Sequence, residues 1–362
     1  MEFKLNNYIE PNFSEERFIN SPNCLMEEVQ KDGCAPKGFH STSIFPEYFK
    51  VNDEWLLAKE SRMDGIAVYE DNEIKVIEIR RLKKGDKVVV GRCEDGTEGI
   101  FVHNNCFEVG KKENSIFSFR TSLTRETSFS YNYEQLASLL KYEKEHNGYV
   151  VWVLGPACSF DYNAKKIMSK LIEDGYCQAL LAGNALATHD LEGAYLGTSL
   201  GCDTKTGDAV PLGHYNHLDT INEVRRSGSI KQFINDNNIN DGIIYSCVKN
   251  DVPFVLTASI RDDGPLPEVI GNCYDGQNEM RKHISKATTL ICMATMLHSI
   301  ASGNMTPIYR VKDNSIRPLY FYMVDTSEFV VNKLANRGSL LATSIITNVQ
   351  DFLSNLDRNL NK

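Results

Sequence analysis

The chain has 362 residues, 42% hydrophobic and 24% charged, enough to bury a large core without cross-links. Against 48 acidic residues it carries 39 basic ones, and the net charge of −9 excludes a nucleic-acid polyanion as the main ligand. No run reaches the roughly 18 apolar residues of a membrane span, no apolar leader follows Met1, and 10 cysteines lack any C-x-x-C pair, so a reducing, cytoplasmic setting is expected.

Residues 1–35 are polar and weakly patterned and read as an arm packing on another domain or subunit. Residues 36–120 read as a β-rich domain. Ile66-Ala67-Val68-Tyr69, Ile74 to Ile79, Lys87 to Gly91 and Gly99-Ile100-Phe101-Val102 are short β-type runs separated by Asp, Asn and Gly turns. Residues 109–131, rich in Ser, Thr, Lys and Glu, read as a connection.

From 121 to 362 the texture becomes that of an α/β domain. Helices are expected at 133–141, 163–174, 184–195, 240–250, 276–286, 327–336 and 349–359. Strands are expected at 149–154, 177–182, 253–258, 288–294, 319–324 and 341–346. Such alternation predicts an α/β fold, a parallel sheet with helices on both faces, joined to the smaller β-rich N-terminal domain.

Several expected strand ends run into small residues and a helix start. They are Gly155-Pro156-Ala157, Gly183-Asn184-Ala185, Gly197-Thr198-Ser199 and Thr295-Met296-Leu297. Glycine lets a backbone approach closely, and a helix N-terminus offers free N–H groups to phosphate. Converging turns of this kind suit a dinucleotide, although each alone also serves an ordinary β–α turn. A G-x-G-x-x-G fingerprint is absent. Asp325-Thr326 closes another strand; Asp325 can accept from both ribose hydroxyls, which favours NAD over its 2′-phosphate form, or can cap the next helix.

The strand at 253–258 ends in Ser259-Ile260-Arg261-Asp262-Asp263-Gly264-Pro265-Leu266-Pro267, a rigid charged loop at a position where α/β sheets bind ligands. Adjacent carboxylates can divide labour, one binding or orienting, the other exchanging a proton. A capped turn with a surface carboxylate pair is the alternative. His298 follows a strand and is either a core histidine or a functional one. Lys249 precedes the strand leading to Arg261 and is either a supporting polar group or a solvated helix end. Cys158 after Gly155-Pro156 has no paired base to activate it. His214 and His217 are three apart, but no third ligand of sensible spacing follows, so no metal is expected.

Together these stretches resemble the archaeal-type ornithine cyclodeaminase family, also labelled LOR/SDH, and the C-terminal module of arginine dihydrolase–ornithine cyclodeaminase enzymes. The carrying segments are residues 181–190, Gly197 to Gly201, Gly213 to Leu218, Cys247 to Asn250, Ser259 to Pro267 and Ala294 to Ile300. The resemblance implies a deoxyhypusine-synthase-like NAD-binding fold, with NAD used catalytically to turn L-ornithine into L-proline and ammonia. Hydride would leave the substrate Cα, the δ-amine would attack the resulting imine, ammonia would depart, and the cyclic imine would take the hydride back.

On that resemblance Asp262 or Asp263 is the acid/base or amine anchor, Arg261 the carboxylate partner, and His298, Asn184 and Lys249 supporting groups. Ser259, the glycine turns and Asp325-Thr326 hold NAD. A homo-oligomer is implied, with an amino acid as partner and neither nucleic acid nor membrane. In relatives the Gly-Pro-Ala turn often continues to His-Thr-Gly; here it runs Cys158-Ser159-Phe160-Asp161-Tyr162, and residues 309–318 look inserted. An NAD-dependent dehydrogenase of another amino acid, or a non-catalytic NAD-binding regulator, is the competing reading.

Overall fold

The computed structural model describes residues 3–108, 129–262, 264–328 and 342–362. The N-terminal part holds helix α1 (Glu16–Ile19) and strands β1 (Leu25–Glu28), β2 (Ser41–Thr42), β3 (Glu47–Val51), β4 (Glu54–Leu57), β5 (Gly65–Glu70), β6 (Glu73–Ile77), β7 (Lys87–Val90) and β8 (Ile100–Val102). They form a five-stranded sheet ordered β1-β7-β5-β2, with β6 on β5, and a three-stranded sheet β4-β3-β8. All described pairings are antiparallel. On β5 the period-2 alternation puts Ala67 in one cluster with Phe49, Val89 and Ile100, and Ile66 and Val68 in another with Val29 and Val88.

The described residues from 3 to 35 pack on the rest of the chain. Leu25 pairs with Val90 and Glu28 with Lys87, so they supply an edge strand. Further upstream, Phe3 packs edge-on against Tyr320 at 5.5 Å, and the Tyr320 hydroxyl donates to Asn6 Oδ1 at 2.8 Å.

The remainder alternates as expected. It runs α2 (Ser130–Glu145), β9 (Val150–Leu154), α3 (Ala157–Phe160), α4 (Tyr162–Glu173), β10 (Ala179–Gly183) and α5 (Asn184–Leu196), then β11 (Thr198–Ser199), β12 (Cys202–Asp203), α6 (Asn216–Ser227), α7 (Ile230–Asp236) and α8 (Ile243–Lys249). After these come β13 (Phe254–Thr257), α9 (Cys273–Ile284), β14 (Thr289–Met293), α10 (Met296–Met305), β15 (Tyr309–Lys312), β16 (Ser315–Pro318), β17 (Tyr320–Asp325), β18 (Ala342–Ile346) and a C-terminal helix Val349–Leu360. Most of the helix expected at 327–336 lies outside the described residues.

Six of these strands build one all-parallel sheet, ordered β13-β10-β9-β14-β17-β18. Both faces are covered, which is why the strands read as unbroken apolar runs. Val150, Trp152 and Leu154 of β9 face a cluster holding Leu136 of α2, Met168 of α4 and Phe352 of the C-terminal helix. Val151 and Val153 face Met280 and Ile284 of α9 and Met305 of α10.

Buried ion pairs lock the two parts together. Glu78, after β6, accepts from Arg62 at 2.7 Å and from Arg281 of α9 at 3.0 Å. Residues 309–318 form the β15–β16 hairpin, a bridge between the parts: the Ile308 amide donates to the Ile44 carbonyl at 2.9 Å, and the Tyr309 hydroxyl donates to the Ala58 carbonyl. The same hairpin sends Arg317 to Glu143 of α2 in a bidentate pair of 2.6 and 3.1 Å.

Candidate active site at the strand ends

Numbered by chain order within the sheet, the strands run 3-2-1-4-5-6, the order of dinucleotide-binding folds. The order reverses between β9 and β14, and in such sheets the ligand crevice lies outside the strand ends at that point. Two turns meet there. The Gly155 amide donates to the Met293 carbonyl at 2.8 Å, and a Cβ on Gly155 would collide with the Ala294 carbonyl oxygen. Ala294 sits at φ 52°, a left-handed conformation that costs a non-glycine residue on the order of 1–2 kcal/mol. Strain of this kind collects at functional turns.

One strand over, His298 becomes the hub. It lies in the first turn of α10, where Nε2 meets Thr257 Oγ1 at 2.7 Å and Nδ1 meets Thr295 Oγ1 at 3.3 Å. Gly183 at the end of β10 makes room for the ring, since a Cβ there would stand 3.2 Å from His298 Cε1. Three strand ends, β10, β13 and β14, therefore hold one imidazole. Burial lowers its pKa from the usual 6.5, opposed by the nearby Asp262 charge, so the ring is neutral at pH 7.

The charged loop closes the same corner. Asp262 Oδ2 accepts from the Ser259 amide at 2.7 Å, and the Asp262 amide donates to the Ser259 carbonyl at 3.1 Å. Arg261 is exposed; its backbone amide donates to Ser259 Oγ at 3.2 Å. Asp263 lies outside the described residues. Asn184, buried at the start of α5, uses Oδ1 to accept from the Leu266 amide at 3.1 Å and from the Thr188 hydroxyl at 3.2 Å, so its carbonyl holds the loop in place.

Gly155, Pro156, Ala157, Gly183, Asn184, Ala185, Ser259, Asp262, Thr295, Met296, Leu297 and His298 thus gather along one edge of the sheet. Met296 and Leu297 are exposed there, at 49% and 69%. Asp325 ends β17 on the same edge, with Thr326 after it; its carboxylate accepts from the Ser327 amide at 2.8 Å, the geometry of a capped turn.

Lys249 does not join them. It ends α8, which leads into the beginning of β13, so it lies at the opposite edge, paired with Glu173 at 3.7 Å. It takes the place of a solvated helix end, the alternative to the role implied by the resemblance, because a strand delivers the residues before it and those after it to opposite edges of the sheet. Gly197, Thr198 and Ser199 also stand apart: Gly197 is the left-handed C-cap of α5 at φ 73°, and Thr198-Ser199 pair with β12. Cys158 is buried, and burial pushes its thiol up to about 12, which removes it as a nucleophile.

Two features escape a reading by sequence. Thr257 is the last residue of β13 and the partner of His298; only its place at a strand end signals it. The second is a buried group around Glu192, which with His189 lies on α5. The Glu192 carboxylate meets His189 Nδ1 at 3.2 Å and His217 Nδ1 at 3.8 Å, and accepts from Thr198 Oγ1 at 2.9 Å. Burial would raise its pKa, yet the contacts from His189, His217, Thr198 and the Gly201 amide outweigh it and hold it at about 2. The His189-x-x-Glu192 spacing on one helix face was the available signal.

The chain is similar to several known proteins. A family model described as arginine dihydrolase ArgZ-like, C-terminal, Rossmann fold, matches residues 134–356, and a model for the first region of the same C-terminal part matches 46–127. The ornithine cyclodeaminase of Methanocaldococcus jannaschii is 39% identical over 346 residues, 93% of this chain and 78% of that protein. A LOR/SDH protein of Methanococcus maripaludis superposes with a TM-score of 0.85 at 34% identity, covering 94% of this chain and 98% of that one. The ternary complex of AgrE with ornithine and NAD+ superposes with a TM-score of 0.60 at 36% identity, covering 94% of this chain and 46% of that one. Among the described residues, no helix is long and apolar enough to cross a membrane.

Proposed function

As a member of the ornithine cyclodeaminase family, which shares its fold with the C-terminal part of the ArgZ-like enzymes, this chain, we propose, carries out the NAD-dependent cyclising deamination of L-ornithine to L-proline and ammonia. The observation that carries this reading is the AgrE complex with ornithine and NAD+, a relative 36% identical over 94% of this chain. The residues present fit the cofactor: the 3-2-1-4-5-6 order, and a switch-point glycine, Gly155, that lets its turn approach the Ala294 carbonyl more closely than any side chain would allow. Gly155 to Ala157, Gly183 to Ala185, Thr295 to Leu297 and Asp325-Thr326 would hold it, and the starts of α5 and α10 offer free N–H groups suited to phosphate.

When bound, NAD supplies a reversible hydride acceptor, so the substrate is oxidised and re-reduced with no net redox change. The chain's own groups do the rest. Neutral His298, fixed by the Thr257 and Thr295 hydroxyls, accepts a proton at one ring nitrogen as the substrate amine is activated, and later returns one to the departing ammonia. Asp262 anchors the substrate ammonium, and Arg261 on the same loop meets its carboxylate. Asn184 is a positioning residue that keeps the loop against α5. Held at the strand ends in this way, the described part of the loop helps shield the imine from water.

A homo-oligomer in the cytoplasm supplying proline belongs to the same reading; the exposed Leu212, Tyr215 and Leu218 support self-association. So does a division into a β-rich N-terminal domain and an α/β catalytic domain. The test is the purified full chain with ornithine and NAD. Proline and ammonia should form in equal amounts without accumulating NADH. NADH build-up without proline would instead mark a one-way dehydrogenase and end this reading.

A further inference from the structure

We propose that His189, Glu192 and His217 form a site for one divalent transition-metal ion, zinc by preference. The trio shares no residue with the strand-end groups that carry the proposed reaction, so metal binding is tested apart from that reading. His189 and Glu192 project from one face of α5, three residues apart, and His217 comes from the first turn of α6. One atom of each converges, and the three lie within 4.8 Å of one another.

The carboxylate is prepared for this task. Glu192 is 0% exposed, and its Oε1 is occupied by the Thr198 hydroxyl at 2.9 Å and the Gly201 amide at 3.4 Å. Asn216 in turn donates to Thr198 Oγ1 at 2.8 Å. That outer layer orients a ligating carboxylate in metal sites. It leaves Oε2 facing both imidazoles, 3.2 Å from His189 Nδ1 and 3.8 Å from His217 Nδ1.

Hydrogen bonding alone does not complete the group. One His189–Glu192 bond satisfies His189, yet His217 Nδ1 is a buried atom without a hydrogen-bond partner. A cation at the centre satisfies all three at once. Tetrahedral zinc, with bonds of about 2.0–2.1 Å, needs donor atoms roughly 3.3 Å apart, and the observed separations bracket that spacing. Two imidazoles and a carboxylate suit zinc better than calcium or magnesium, which prefer all-oxygen shells. Phe160, edge-on to His189 at 5.2 Å, gives the site an apolar wall. Three protein ligands leave a fourth position for water or a small ligand.

The experiment strips the full chain with a chelator and titrates it with Co2+, reading visible d–d absorption, then displaces it with Zn2+. One equivalent should bind with the intense bands of tetrahedral cobalt. His217→Ala should weaken binding by more than about tenfold, and Glu192→Gln should abolish it. His214→Ala should leave it unchanged, since His214 lies tilted against Tyr215 at 4.3 Å outside the trio. Half-exposed His217 keeps the test valid should the Glu192 variant not fold. Failure to take up one equivalent, or uptake undiminished in His217→Ala, overturns the proposal.

Discussion

At the scale of single residues, the strand-end corner turns on how His298 is held. Its two hydroxyl partners come from the ends of different strands, so the ring orientation reports the packing of β13 against the β14 turn. Removing it should cost about 10²- to 10⁴-fold in kcat/KM, and His298→Gln should still bind NAD, as equilibrium dialysis can check. A pH profile adds a sign. The folded pKa lies below the ordinary 6.5, so the neutral base persists from neutral pH down past 6.5 and is lost only further into acid. kcat/KM should therefore hold through pH 6.5 and fall below it, and that acid limb should vanish in His298→Gln. An acid limb starting above pH 7 would assign the step to another group.

At the scale of elements, the bond between the β-rich part and α9 rests on Glu78. Burial alone would raise this carboxyl, but its own backbone amide with Arg281, Arg62 and Arg81 outweighs burial and holds it below 4.5. Its contribution is then fully present above the unfolded carboxylate value and fades as pH falls through the lower folded one. Replacing it strands two largely buried guanidinium groups. Glu78→Gln should destabilise the fold by about 3–5 kcal/mol, read by denaturant unfolding at pH 7, and the gap to the parent chain should narrow in acid. A loss that does not change with pH would mean that packing, not charge, holds the junction.

Across the whole molecule, the parallel sheet divides function from support. In open α/β sheets ligands bind outside the carboxyl ends of the strands, and the amino edge lies a strand's length of about 13 Å or more away. Lys249→Ala is the control for that division. Its partner Glu173 is exposed, so stability should change by no more than about 1 kcal/mol, and kcat/KM for ornithine should stay at the parent value. A large loss of turnover would return Lys249 to the chemistry and contradict the strand polarity.

Local pattern was enough for much of this. Apolar runs such as 150–154 and 289–293 specify strands, because a buried strand has no face to spare for polar groups. The alternation with helices then dictates a parallel sheet, and loop chemistry points to Gly155, Asp262 and His298 as strand-end groups. Local pattern could not carry contact across long separations. That Leu25 pairs with Val90, that Thr257 holds His298, and that Glu192 sits between His189 and His217 depend on strand order and helix placement. Lys249 marks the same boundary from the other side. The resemblance implied a supporting role and the local sequence left a solvated helix end open; strand direction put it on the far edge, because only the assembled sheet decides which ends meet.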